Sequence, residues 1–141
     1  RAMTNANAGA IMTQRPKAIL CLSDDGDILR IRRMLLEHFG YIVLPTTSAV
    51  DAKNLVEQRC PDMLLIDNND SRINYARLAK EVKDICPEVI TVVLSPYYCM
   101  SSSKPAVHVD RFVDKDEGPD ALIAQIKELF GGVPTENPRE Q

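Results

Sequence analysis

The chain has 141 residues, of which 45% are hydrophobic and 26% charged, with a formal net charge of -3. That is the length of one domain with a real core, and the charge balance offers no broad basic field, so no direct nucleic-acid partner is expected. No apolar run approaches the roughly 20 residues that span a bilayer, and the first residues lack a signal peptide's apolar core, so no membrane partner is expected either.

Residues 1–15 are small and polar with little periodicity and read as a disordered N-terminal segment, with Arg1-Ala2 before Met3 as a cloning remnant. From Lys17 onward short apolar runs alternate with amphipathic stretches, the pattern of an α/β fold with a doubly wound parallel sheet. The first strand is expected at 17–23. A helix follows at 27–39, with Ile28, Ile31, Leu35 and Phe39 on one face and Gly40 as its stop. The second strand falls at 41–44, and a second helix, capped by Ser48, runs to residue 59 before Pro61. A nearly all-apolar third strand at 63–66 suits burial on both faces. The third helix covers 75–85 and stops at Pro87, and a β-branched run at 89–94 forms the fourth strand. Between Leu94 and Arg111 the regularity breaks. Ser101-Ser102-Ser103 followed by Pro105 is poor helix material, so a fourth helix is expected to be shortened or irregular. A fifth strand at 111–113 and a fifth helix from Pro119 to Phe130, with Leu122, Ile126 and Leu129 toward the sheet, complete the pattern. Residues 132–141 read as a polar tail or linker.

The four cysteines Cys21, Cys60, Cys86 and Cys99 show no CxxC spacing. Cys60 and Cys86 each precede a proline at a helix end. All four are read as reduced thiols of a cytoplasmic protein rather than as disulfides or zinc ligands. The two histidines, His38 and His108, sit on unrelated segments and offer no metal or nucleophile-base constellation.

The residues that carry chemistry stand where strands end. Asp24 and Asp25 close the first, Asp67 the third, and Lys115 follows Phe112-Val113-Asp114. All strand C-termini of a parallel sheet open on one edge, so these side chains should meet in one crevice. Three carboxylates beside one ammonium suit a hard divalent cation and a phosphoryl group. Asp67 is the candidate nucleophile, since a carboxylate can accept a phosphoryl group as an acyl phosphate. Crowded carboxylates repel, and Mg2+, which takes oxygen ligands, would offset that. Lys115 is a compact charge suited to a phosphoryl oxygen, and Ser95 can donate a hydrogen bond to another. Each feature alone has an ordinary reading: acids at a helix N-terminus, a surface lysine, a loop serine, a core phenylalanine. Their coincidence at one sheet edge is what separates them from it.

Placed on five strands, Asp24-Asp25, Asp67 after Leu64-Leu65-Ile66, Ser95 after Val92-Val93-Leu94, Phe112 and Lys115 resemble a receiver domain of bacterial two-component response regulators, similar to the chemotaxis regulator fold. The resemblance covers residues 16–131. It implies a flavodoxin-like sheet of strand order 2-1-3-4-5, with two helices on one face and three on the other. It implies Asp67 as phosphoacceptor, Mg2+ held by Asp24, Asp25, Asp67 and the backbone carbonyl of Asn69, and Ser95 with Phe112 as a switch. Its partners would be a histidine kinase or histidine phosphotransfer protein and an effector on the face of helix four, strand five and helix five, through which a homodimer could also form. Such a domain is cytoplasmic and is not an enzyme beyond self-catalysed aspartyl phosphorylation and dephosphorylation. This chain departs from the pattern at Asp116, where the family carries a proline that is often cis, at Asn68-Asn69-Asp70-Ser71, and at Pro96. Tyr97 beside the site is expected to shield an acyl phosphate from water. Two other functions fit parts of the sequence. One is a pseudo-receiver interaction module that does not use phosphate. The other is a Mg-dependent phosphatase of haloacid dehalogenase type, through Asp25-Gly26-Asp27.

Overall fold

The computed structural model describes residues 15–68, 73–96 and 107–131. Five strands, β1 (Ala18–Leu22), β2 (Ile42–Thr46), β3 (Met63–Asp67), β4 (Ile90–Ser95) and β5 (Arg111–Asp114), form one sheet in the order β2-β1-β3-β4-β5, and every pairing is parallel. β1 and β3 are buried along their whole length, which explains why their sequences run apolar instead of alternating. β2 lies at the sheet edge and is only partly buried, so Pro45 costs it no interior ladder bond. The chain crosses from β2 over β1 to β3, which puts the topological switch point at the C-terminal ends of β1 and β3. The register sets Asp67 opposite Leu94 and Ser95 opposite Asp114, aligning both polar residues along that edge.

Four α-helices are present among the described residues: α1 (Gly26–His38), α2 (Ala49–Gln58), α3 (Tyr75–Ile85) and α4 (Gly118–Leu129), with a 3-10 turn at Lys115–Glu117. Their starts follow from local chemistry. The Asp25 carboxylate accepts from the Asp27 and Ile28 amides, Ser48 Oγ from Asp51, and Asn74 Oδ1 from Arg77, each satisfying donors that a helix leaves open. Gly118 takes φ +90°, a conformation that side chains disfavour, and so turns the chain from the 3-10 turn into α4.

Because side chains alternate along a strand, the sheet has two cores. α1 and α4 set Leu29, Leu36, Leu122 and Ile126 against Ile19, Met63, Leu65 and Val92. α2 and α3 set Ala52, Val56, Leu78 and Val82 against Leu20, Leu64, Ile66 and Val93. The third helix expected on this second face falls on residues 97–106, outside the described residues.

Two expectations are corrected. The buried stripe of α1 is Leu29 and Leu36, with Leu35 packed against it as expected. Ile31, however, is 64% exposed and Phe39 41%, so the expected face of Ile28, Ile31, Leu35 and Phe39 does not turn inward as a whole. Arg32 sits within the inward stripe, so an apolar pattern alone points to the neighbouring face. Cys60 and Cys86 are not reduced thiols but form a disulfide, their Cα atoms 6.0 Å apart. The two cysteine-proline junctions end α2 and α3, which pack side by side on one face, so the fold brings together thiols 26 residues apart in sequence. Cys21 is free and buried.

Candidate functional site

The last residue of β3 places a carboxylate at the switch point. Asp67 is 1% exposed, and its two oxygens face different surroundings. Oδ1 meets Lys115 Nζ at 2.7 Å. Oδ2 accepts a hydrogen bond from Ser23 Oγ at 3.0 Å and faces the Arg32 guanidinium at 3.6 Å. A buried carboxylate is costly unless paired and hydrogen-bonded, and here a hydroxyl and two cations on three different elements compensate it. Lys115 opens the 3-10 turn, which Asp114 caps by accepting from the Asp116 amide at 2.8 Å. The turn delivers the ammonium with Asp116, not proline, in the following position, and no peptide bond among the described residues is cis.

Ser95 ends β4 and is fully buried. Its hydroxyl accepts from Asn68 Nδ2 at 3.2 Å, and the Asn68 amide donates to the Leu94 carbonyl at 2.8 Å. The residue after Asp67 therefore ties the end of β3 to Ser95. Phe112, on β5, packs edge-to-face on Tyr75 at the start of α3, with ring centroids 5.7 Å apart.

Asp24 and Asp25 are exposed at the end of β1. Asp25 is bound to α1 as its cap, and its amide donates to Ser23 Oγ at 3.2 Å, the same hydroxyl that reaches Asp67. The acidic turn is thus one hydroxyl away from Asp67. Its carboxylates and that of Asp67 do not come together as a ready ligand set, and no group of three His, Cys, Asp or Glu side chains able to hold a metal occurs among the described residues. The donor chemistry fits Mg2+ all the same: these are hard oxygens, and Mg2+ is commonly bound through one or two carboxylates with water filling the other positions. Asn69, the expected carbonyl ligand, and Tyr97 lie outside the described residues. Asp27, the second acid of the Asp25-Gly26-Asp27 motif, pairs on the surface with Arg30 at 3.2 Å.

Sequence reasoning passed over Ser23 and Arg32. Arg32 could have been found from its spacing, three residues after Leu29 and four before Leu36, which sets it on the same helical face. Cys21 reports the same charges from the core: burial pushes its thiol up to about 12, Arg32 opposes that rise and Asp67 adds to it. Beside the site a cavity of about 300 Å³ opens between α1 and α4, lined by Ile28, Arg32, Leu35, Leu94, Lys115 and Leu122 among others.

No protein-family model matches the sequence, and no curated protein matches it. Solved structures do. A response regulator receiver domain protein from Methanospirillum hungatei superposes with a TM-score of 0.68 at 21% identity, over 89% of this chain and 99% of that one. The response regulator protein TrrA from Thermotoga maritima, solved in complex with Mg2+-BeF, gives 0.71 at 21% identity, over 80% and 98%. An uncharacterized protein from Neptuniibacter caesariensis gives 0.73 at 18% identity, over 82% and 88%. Likeness at this level of identity shows the fold, and the fold is that of response regulator receiver domains.

Proposed function

We propose that this chain is a phosphoacceptor receiver domain of a two-component system, taking a phosphoryl group onto Asp67 from a histidine kinase or histidine phosphotransfer protein. The observation that carries this reading is the buried Asp67 carboxylate at the switch point, with the Lys115 ammonium 2.7 Å from one oxygen. In the transfer an Asp67 oxygen forms a bond to phosphorus. The bond from phosphorus to the donor histidine nitrogen breaks, and its electron pair stays on that nitrogen. Phosphoryl transfer needs positioning and charge neutralisation more than covalent machinery. Lys115 supplies charge at Oδ1, close enough to follow onto a phosphoryl oxygen. Mg2+, when bound, would neutralise charge on the phosphoryl group; Asp24, Asp25 and Asp67 would hold it, with the carbonyl of Asn69.

A phosphoryl group on Asp67 would compete for the Ser95 hydroxyl now engaged by Asn68. Drawing Ser95 inward opens space along β4 toward Phe112, whose ring leans on Tyr75. Exchange between these two packings is a means of carrying the event to an effector or to a second copy of the chain on the surface near β5 and α4. No described helix is long and apolar enough to cross a membrane. A cytoplasmic place of action follows from the two-component reading, and there the Cys60–Cys86 bridge would stand against a reducing thiol pool.

A test is intact-mass measurement after incubation with acetyl phosphate or phosphoramidate and Mg2+. One phosphoryl addition is expected in the wild type and none in Asp67→Ala; equal addition in both would refute the assignment. The second reading, a pseudo-receiver that works by contact alone, is favoured by one observation: Arg32 and Lys115 together already compensate Asp67. A folded wild type that no phosphoryl donor modifies would decide for it.

A further inference from the structure

We propose that Arg32 is a resident counter-cation that competes with the divalent metal for Oδ2 of Asp67, so that Mg2+ binds weakly and only as the guanidinium withdraws. This rests on reading Asp67 as part of a metal-binding phosphoacceptor site. The two carboxylate oxygens are not equivalent. Oδ1 belongs to Lys115, whereas Oδ2 shares Ser23 Oγ with the Asp25 amide. Oδ2 is therefore the oxygen on the Asp24-Asp25 side, the one a cation held by that turn would share. Arg32 Nη1 lies 3.6 Å from this same oxygen, too far for a hydrogen bond but within an ion pair.

A guanidinium stays charged at any working pH, and like charges at one buried oxygen repel far more than in water. The position of Arg32 is also unusual for its chemistry. It occupies the inward face of α1 between Leu29 and Leu36, where an apolar side chain would bury more surface and bring no charge to offset. Its side chain is only 15% exposed. Arg32 has room to withdraw, because it lines the cavity of about 300 Å³ between α1 and α4. Its methylene stem can lie along Ile28 and Leu35 while the head turns to water.

The experiment is a calorimetric titration of the full chain with magnesium chloride, comparing wild type, Arg32→Leu, Arg32→Gln and Asp67→Asn. The metal-free unfolding midpoint of each variant establishes that it folds. Removing the charge should tighten Mg2+ binding by about tenfold or more in both Arg32 variants. Should Arg32→Leu fail to fold, Arg32→Gln, which keeps a polar group, carries the comparison. A Mg2+ dissociation constant unchanged from wild type in the folded Arg32 variants overturns the proposal and leaves the metal site standing. Binding as poor as that of Asp67→Asn in every variant overturns both.

Discussion

The two faces of the sheet are built for different tasks. Behind the face covered by α2 and α3, apolar side chains close the core, the Cys60–Cys86 bridge ties the two helix ends, and Lys53 pairs with Glu81 across the helices at 3.3 Å. The face covered by α1 and α4 sends Arg32 to Asp67 and keeps a cavity beside it, lined by both Arg32 and Lys115. Rigid support thus lies on one side of β3, and charge with open space beside it on the other. A charged group can move only against a frame that does not.

Core truncations test this contrast most severely. Leu64→Ala, fully buried on the closed face, should cost about 4 kcal/mol, whereas Leu122→Ala, which borders the cavity, should cost about 2 kcal/mol. Urea unfolding of both variants reads the difference, and equal losses would erase the distinction between the faces. Opening the bridge with Cys60→Ser should lower stability by about 3 kcal/mol, from the entropy of a loop spanning 26 residues. The same unfolding assay, with and without a reductant on the wild type, checks this.

Asp110 gives a smaller effect on the closed side. Its carboxylate accepts from the Thr91 amide and from Lys83 Nζ of α3, each at 2.8 Å. Partial burial raises its pKa, but Lys83 and Thr91 outweigh that and hold it below the usual carboxylate value. A depressed folded pKa contributes stability that is complete above the unfolded value near about 4 and lost as pH falls through the folded one. Asp110→Asn should therefore flatten the stability profile below about pH 4, by less than about 1 kcal/mol because the side chain is 40% exposed. Thermal unfolding from pH 2 to 7 measures it. Smallest of all is a chemical readout on the charged side. With its thiol raised to about 12, Cys21 should resist iodoacetamide at pH 8 in the native chain and react once the chain is unfolded, as peptide mapping would show.

Local chemistry determined much of this molecule. Apolar runs too uniform for a one-sided sheet announced buried parallel strands, Ser48 and Pro87 marked helix ends where they occur, and Asp67 with Lys115 could be paired because parallel strands share one C-terminal edge. Two matters needed the packed chain. Which stripe of α1 turns inward depends on how it lies on the sheet, and that choice brought Arg32 to Asp67. The union of Cys60 with Cys86 depends on α2 and α3 lying side by side. Strand and cap preferences act within a few residues and are written in their order. Contacts across a core join distant segments, and only the relative placement of whole elements decides them.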